Sequence, residues 1–202
     1  MKLYNFEKSG NCYKIRLFLS ILEKSYDEIA INIFKGETLT NEFLSINPKG
    51  TIPVLIDKDI KITDSASILV YLASKYGDEK WLPLDPIKLA NIIQWLVLEQ
   101  NEGRYGLARA RLIKLKIPSD LAKTGSIEES LKIGTKALDF FELQLKKTQW
   151  LVGDGHPTIA DIACFPYVAM SHQGGFLLKN YNSINRWIKQ ISDIPGYVKL
   201  PD

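Results

Sequence analysis

Apolar and polar side chains alternate over residues 2–6, a two-residue period that predicts a strand. Lys8-Ser9-Gly10-Asn11 supplies turn chemistry, and residues 12–22 place Ile15, Phe18, Leu19 and Leu22 at helical spacing. Ile29, Ile31 and Ile33 alternate within residues 26–34, which predicts a second strand, parallel to the first because a helical crossover joins them. A polar stretch over residues 35–47 leads to a Pro48-Lys49-Gly50 turn and the short apolar run Pro53-Val54-Leu55-Ile56. Asp57-Lys58-Asp59 turns that run into residues 60–62 as a hairpin. Asp64-Ser65 then opens a helix with Ile68, Leu69, Leu72 and Tyr76 on one stripe and Gly77 as its C-cap.

Residues 77–86 are rich in Pro, Asp and Gly and read as a linker between a first domain, residues 1–78, and a second, residues 87–202. Everything after the linker follows a helical period. Asp85-Pro86 fits the N-cap and first turn of a long helix running through Ile93, Leu96 and Leu98. Ser126-x-x-Glu129 reads as a capping box before Leu131, Leu138, Phe141 and Leu145, and Thr158-x-x-Asp161 as another before Ile162 and Phe165. The fold class is therefore α/β plus all-α: a βαβ-ββα unit of thioredoxin-like order followed by an all-helical domain.

Composition narrows the function classes. The chain has 26 Lys and Arg against 23 Asp and Glu, a surplus of +3 that gives no reason to expect nucleic acid as a partner. Residues 1–80 are balanced, so the surplus lies wholly in the helical part and could favour an anionic ligand. No apolar run reaches membrane-spanning length, the start lacks a signal-peptide pattern, and the two cysteines, Cys12 and Cys164, form no disulfide framework. The expectation is a soluble, cytoplasmic protein. His156 and His172 have no neighbours at metal-ligand spacing, so no metal is expected.

Two constellations carry chemistry. Ser9-Gly10-Asn11-Cys12 lies where a dithiol redox site places C-x-x-C, between strand and helix N-terminus, where dipole and free amides lower a thiol pKa. Ser9 stands in place of the attacking cysteine. A hydroxyl cannot exchange disulfides but can donate a hydrogen bond to a thiolate carried by a ligand; alternatively Ser9 simply caps the helix. The second is Thr51-Ile52-Pro53 with Asp64-Ser65 behind it. A cis X-Pro bond there would aim the Ile52 backbone at an extended peptide, while Asp64, Ser65 and the helix amides would receive a zwitterionic amino-acid head. An ordinary turn and N-cap is the plainer reading of the same residues.

With these motifs in this order, the sequence resembles the cytosolic glutathione transferases over essentially its whole length. The resemblance rests on residues 9–16, residues 47–55, Asp64-Ser65-Ala66-Ser67-Ile68 with Tyr71-Leu72, and Thr158-Ile159-Ala160-Asp161. It implies that Ser9 activates the thiol of glutathione, that Ile52 before a cis-Pro53 pairs with the cysteinyl backbone, and that Asp64 and Ser65 hold the γ-glutamyl end. Asp161 becomes a helix-capping carboxylate, and a homodimer is implied. Where some classes grip the glycyl carboxylate with basic residues or Gln, this chain has Thr38, Leu39 and Thr51, which leaves Lys35, Lys49 or a basic residue from the helical domain as substitutes.

Conjugation of the glutathione thiolate to apolar electrophiles is the leading function. The alternatives are a Cys12-dependent disulfide reductase or peroxidase and a non-catalytic interaction module. Tyr105 and Arg109, one turn apart, are candidates for the substrate pocket together with Cys12. Arg104, Arg109, Arg111, Lys114 and Lys116 read as a solvated helix face or a cleft wall, Cys164 as core, and Trp95, Trp150 and Trp187 as core or interface.

Overall fold

The computed structural model describes residues 1–153 and 155–201. The chain runs β1 (Lys2–Asn5), α1 (Gly10–Ile21), β2 (Asp27–Ala30), α2 (Asn41–Ile46), β3 (Val54–Asp57), β4 (Ile60–Thr63) and α3 (Ser65–Tyr76). The strands form a sheet in the order β2-β1-β3-β4, with β1 and β2 parallel and the β1–β3 and β3–β4 pairs antiparallel. This is the thioredoxin-like arrangement expected.

Register decides what the sheet can build. Val54 pairs with Tyr4 on one side and Thr63 on the other, while Asn5 pairs with Ala30. The segments that follow β1, β2 and β4, and the one that precedes β3, therefore all leave the same end of the sheet. They carry Ser9, Lys35, Asp64-Ser65 and Ile52-Pro53.

Beyond the first domain come α4 (Pro86–Leu98), a π-helical continuation (Glu99–Ala108), α5 (Arg109–Lys114), the short α6 (Asp120–Lys123), α7 (Ile127–Leu145), α8 (Ile159–Ala169) and α9 (Asn182–Ser192). Asp85 caps α4 by accepting from the Lys88 N–H at 2.9 Å, with Pro86 in the first turn. The π segment packs on α7 so closely that a Cβ on Gly106 would lie 2.5 Å from the Gly134 nitrogen, so two glycines let these backbones approach.

Tertiary packing changed several sequence expectations. The second strand ends at Ala30; Asn32 instead caps a 3₁₀ turn (Ile33–Lys35), its carboxamide oxygen accepting from the Phe34 and Lys35 amides. In α4 the buried face is Ile92, Trp95 and Leu96, leaving Ile93 exposed, because α8 and α7 approach from that side. Gly77 caps α3 in extended rather than left-handed conformation (φ −84°). Ser126 accepts from the Glu129 N–H, but the Glu129 carboxylate pairs with Arg109 instead of closing the box. The solvated face does not hold either: Arg109 and Arg111 are each only 3% exposed.

One core runs through both domains, with α1 and α3 packed on α8 and Trp95, Phe141, Phe165 and Trp187 in ring contact along the helical side. Asp161 organises its centre. Fully buried, its carboxylate accepts from the Thr158 N–H at 2.8 Å, the Leu151 N–H at 3.0 Å and the Trp187 indole at 2.9 Å, and Thr158 caps Asp161 in return. Burial pushes its pKa up against these donors. Asp161→Ala removes the acceptor and leaves three buried donors unpaired. Each costs about 1–3 kcal/mol, so a loss of about 3 kcal/mol or more is expected. The check is the urea midpoint of Asp161→Ala against the parent, and an unchanged midpoint contradicts the role.

Candidate active site

Ser9 is the N-cap of α1: its backbone is extended (φ −78°, ψ 121°) and its Oγ accepts the Cys12 N–H at 3.3 Å. The capping reading and the functional one are compatible. A hydroxyl has two acceptor lone pairs and one proton, and the cap uses a lone pair, which leaves the proton for a sulfur, that of Cys12 or that of an incoming thiolate. Arg111 braces the preceding turn, Nη1 donating to the Lys8 carbonyl at 3.2 Å while Nε donates to Gln173.

Asp64 sits at φ 74°, a region that costs a non-glycine residue strain, and its carboxylate caps α3 by accepting the Ala66 N–H at 3.0 Å. The strained residue is exposed, and Ser65 next to it is buried. Ser65 Oγ donates to Asn11 Oδ1 at 3.2 Å, which ties the start of α3 to the first turn of α1. Ile52-Pro53 is cis, as expected. The turn before it is set by Asn47, whose Nδ2 donates to the Thr51 carbonyl at 2.7 Å and to its hydroxyl at 3.1 Å. Thr51 is thus committed to the loop. Lys35 is exposed on its 3₁₀ turn, and Thr38 and Leu39 just beyond press against Gly50 (φ 60°), so that segment and the cis-proline loop are neighbours.

The structure therefore brings Ser9, Ile52, Pro53, Asp64, Ser65, Thr51 and Lys35 to one end of the sheet, but not the residues expected for the substrate pocket. Tyr105 and Arg109 line a cavity of about 610 Å³ between the π segment and α7, with Leu98, Glu102, Ile133 and Phe140. None of its lining residues comes from the first domain. Arg109 is held inside the helical domain by Ser130 (2.7 Å) and Glu129 (2.7 Å). Cys12 does not line that cavity either. It is fully buried, and burial pushes its thiol pKa up; the nearby Ser9 hydroxyl and Phe6 backbone pull it down by less.

Three residues had no sequence signal. Tyr167 of α8 lies against Gly10 so tightly that a Cβ there would stand 2.8 Å from its Cε1. Its half-buried phenol, kept protonated by burial, faces the Ser9 turn from the helical domain. Asn11 bridges α1 and α3, and Lys14, fully buried in α1, donates to Asn11 Oδ1 at 2.8 Å and to Glu99 at 2.6 Å. Buried charges of opposite sign on two elements far apart in sequence leave no local pattern to read.

Known proteins share this architecture. The family model for the glutathione S-transferase N-terminal domain matches residues 1–74, and that for the C-terminal domain matches residues 111–195. Glutathione S-transferase D6 of Drosophila melanogaster is 30% identical over 98% of this chain and 90% of its own length. Glutathione S-transferase F13 of Arabidopsis thaliana is 28% identical over 99% and 94%. Among solved structures, a glutathione S-transferase from Pseudomonas fluorescens superposes with a TM-score of 0.89 at 37% identity, covering 100% of this chain and 98% of its own. A glutathione transferase homologue from Drosophila mojavensis with bound glutathione has a TM-score of 0.83 at 29% identity over 96% and 88%.

Both thiols are buried with raised pKa values, so neither offers thiolate near neutrality. A raised pKa moves the thiolate to pH above the usual value of about 8.5. The native protein is therefore expected to react slowly with a thiol-specific disulfide reagent at pH 7 and to release two equivalents at once when unfolded. Fast reaction of Cys12 in the native state contradicts the assignment.

Proposed function

This chain belongs to the glutathione S-transferase family, is a glutathione transferase, and within that family we propose that Ser9 activates the glutathione thiol for attack on electrophilic, mostly apolar small molecules. One observation carries the reading: Ser9 caps α1 through a lone pair, which leaves its proton for a sulfur, at the end of the sheet where the cis-Pro53 loop and the Asp64-Ser65 helix start also meet. In this reading Ser9 donates to the cysteinyl sulfur and stabilises the anion, and the Ile52 backbone pairs with the cysteinyl peptide. Asp64 receives the γ-glutamyl ammonium, and Ser65 with the α3 amides receives its carboxylate. Lys35, exposed on the 3₁₀ turn after β2, takes the glycyl carboxylate.

The thiolate then forms a carbon–sulfur bond to the electrophile, whose leaving group departs with the bonding pair or whose conjugated acceptor takes up a proton. Tyr167, which covers Gly10 from α8, forms the electrophile's side of the cleft in place of Tyr105, Arg109 and Cys12. The burial of Cys12 argues against the reductase reading. The protein is assigned to a reducing, cytoplasmic setting; among the described residues no helix is long and apolar enough to cross a membrane. A homodimer is assigned to the face where Ile93, Val97, Tyr105 and Phe140 stay exposed beside the cavity between the π segment and α7.

A free thiol titrates near about 8.5, and one hydrogen bond to its anion, about 1.5–3 kcal/mol, lowers that by roughly one to two units. Ser9→Ala is expected to raise the thiolate pKa of bound glutathione by that amount, read by ultraviolet titration of the binary complex, while Cys12→Ala leaves it in place. Activation accounts for only part of the rate, since lower basicity also lowers nucleophilicity, so Ser9→Ala retains activity at raised pH. The opposite pattern, with Cys12→Ala shifting the titration and Ser9→Ala not, assigns the chemistry to the cysteine.

Asp64→Ala and Ser65→Ala remove contacts remote from the sulfur and are expected to raise KM for glutathione about ten- to hundredfold with a smaller effect on kcat. Parent-like KM values in both variants place the tripeptide elsewhere.

A further inference from the structure

The Lys14–Glu99 pair is the least accessible ion pair among the described residues, Nζ to Oε1 2.6 Å, with side chains 0% and 2% exposed. Its members come from different domains, α1 and the first residue of the π segment. Desolvation consumes most of what such a pair gains, so stability alone is a weak reason for it. Its remaining contacts point to the site instead. Lys14 Nζ also donates to Asn11 Oδ1 at 2.8 Å and stands 4.8 Å from the centroid of the Tyr167 ring, and Asn11 Oδ1 accepts from Ser65 at 3.2 Å. Glu99 Oε2 is fixed in turn by Gln100 at 2.8 Å.

An ammonium group only donates, so it dictates which end of the Asn11 carboxamide turns inward. The oxygen must face Lys14 and Ser65. The Nδ2 group of half-buried Asn11, on the first turn of α1, then turns away from those two donors. A carboxamide turned the other way would offer an acceptor oxygen to the place where an anionic ligand sits. We infer that the Lys14–Glu99 pair is a positioning device through which the helical domain holds Asn11 with its donor face toward bound glutathione and keeps Ser65 tied to the same point. The inference rests on the reading of Ser65 as a γ-glutamyl contact.

The test uses the full-length protein and calorimetric titration with glutathione. The charge-swapped variant Lys14→Glu/Glu99→Lys keeps a buried ion pair but sets a carboxylate beside Asn11, which reverses the carboxamide. It is expected to bind glutathione about three- to tenfold more weakly, with KM for the electrophile unchanged. The uncharged variant Lys14→Met/Glu99→Leu is expected to weaken binding similarly, and in an Asn11→Ala background neither double substitution weakens it further. Asn11→Asp, which retains the Lys14 contact but sets an anionic oxygen where the donor face was, gives at least the same loss with Lys14 and Glu99 both in place. Parent-like affinity in the charge-swapped variant or in Asn11→Asp overturns the proposal, as does an undiminished further loss in the Asn11→Ala background. Ser65→Ala separates the two levels: if it binds like the parent, the reading of the site fails and the proposal with it. If Ser65→Ala weakens binding while the Lys14 and Glu99 variants do not, only the proposal fails.

Discussion

The pairing of Val54 with both Tyr4 and Thr63 is the constraint on which the rest depends. Antiparallel strands place the start of one beside the end of the next, so fixing this register delivers the Ser9 turn, the cis-Pro53 loop and the Asp64-Ser65 helix start to one edge. A shift of one residue would exchange the packing partners of Val54 and Leu55, buried on opposite faces, and take Asp57 from the Tyr71 and Lys75 groups it accepts from, and that cost keeps the register unique. The site is thus assembled from backbone geometry before any of its side chains interact.

The second domain reaches the Ser9 end of the first mainly through three side chains. Tyr167 closes over Gly10, Arg111 holds the carbonyl just ahead of Ser9, and Glu99 reaches into α1 through Lys14. α8 carries the first of these from a helix anchored by the Thr158–Asp161 box. Folding of the helical core and the geometry around Ser9 are therefore coupled. A change in the Asp161 cap moves the element on which Tyr167 stands.

Electrostatics separates the two candidates in the Ser9–Cys12 turn. Three residues along, Cys12 sits in the core, where burial outweighs the nearby donors and holds the thiol neutral. Ser9 lies at the outer end of the same helix turn, where it needs no ionisation of its own to serve an anion. One helix N-terminus thus presents a hydroxyl at its outer end and holds the protein's own thiol neutral further in. Depth along the helix makes the difference.

The sequence alone determined the local devices: strand and helix periods, the Asp85-Pro86 start, the Thr158–Asp161 box, the cis-proline context and the Ser9 and Asp64-Ser65 caps. All of these are written in neighbouring residues whose physics acts over a few positions. Tertiary structure alone decided which face of α4 is buried, that Arg109 and Arg111 leave solvent, that Tyr105 belongs to a cavity away from Ser9, and that Asn11, Lys14, Glu99 and Tyr167 meet. Those contacts join residues distant in sequence, with Lys14 and Glu99 85 positions apart. Their pairing is set by how α1 docks on the helical domain, and helical periodicity carries no information about a partner on another element.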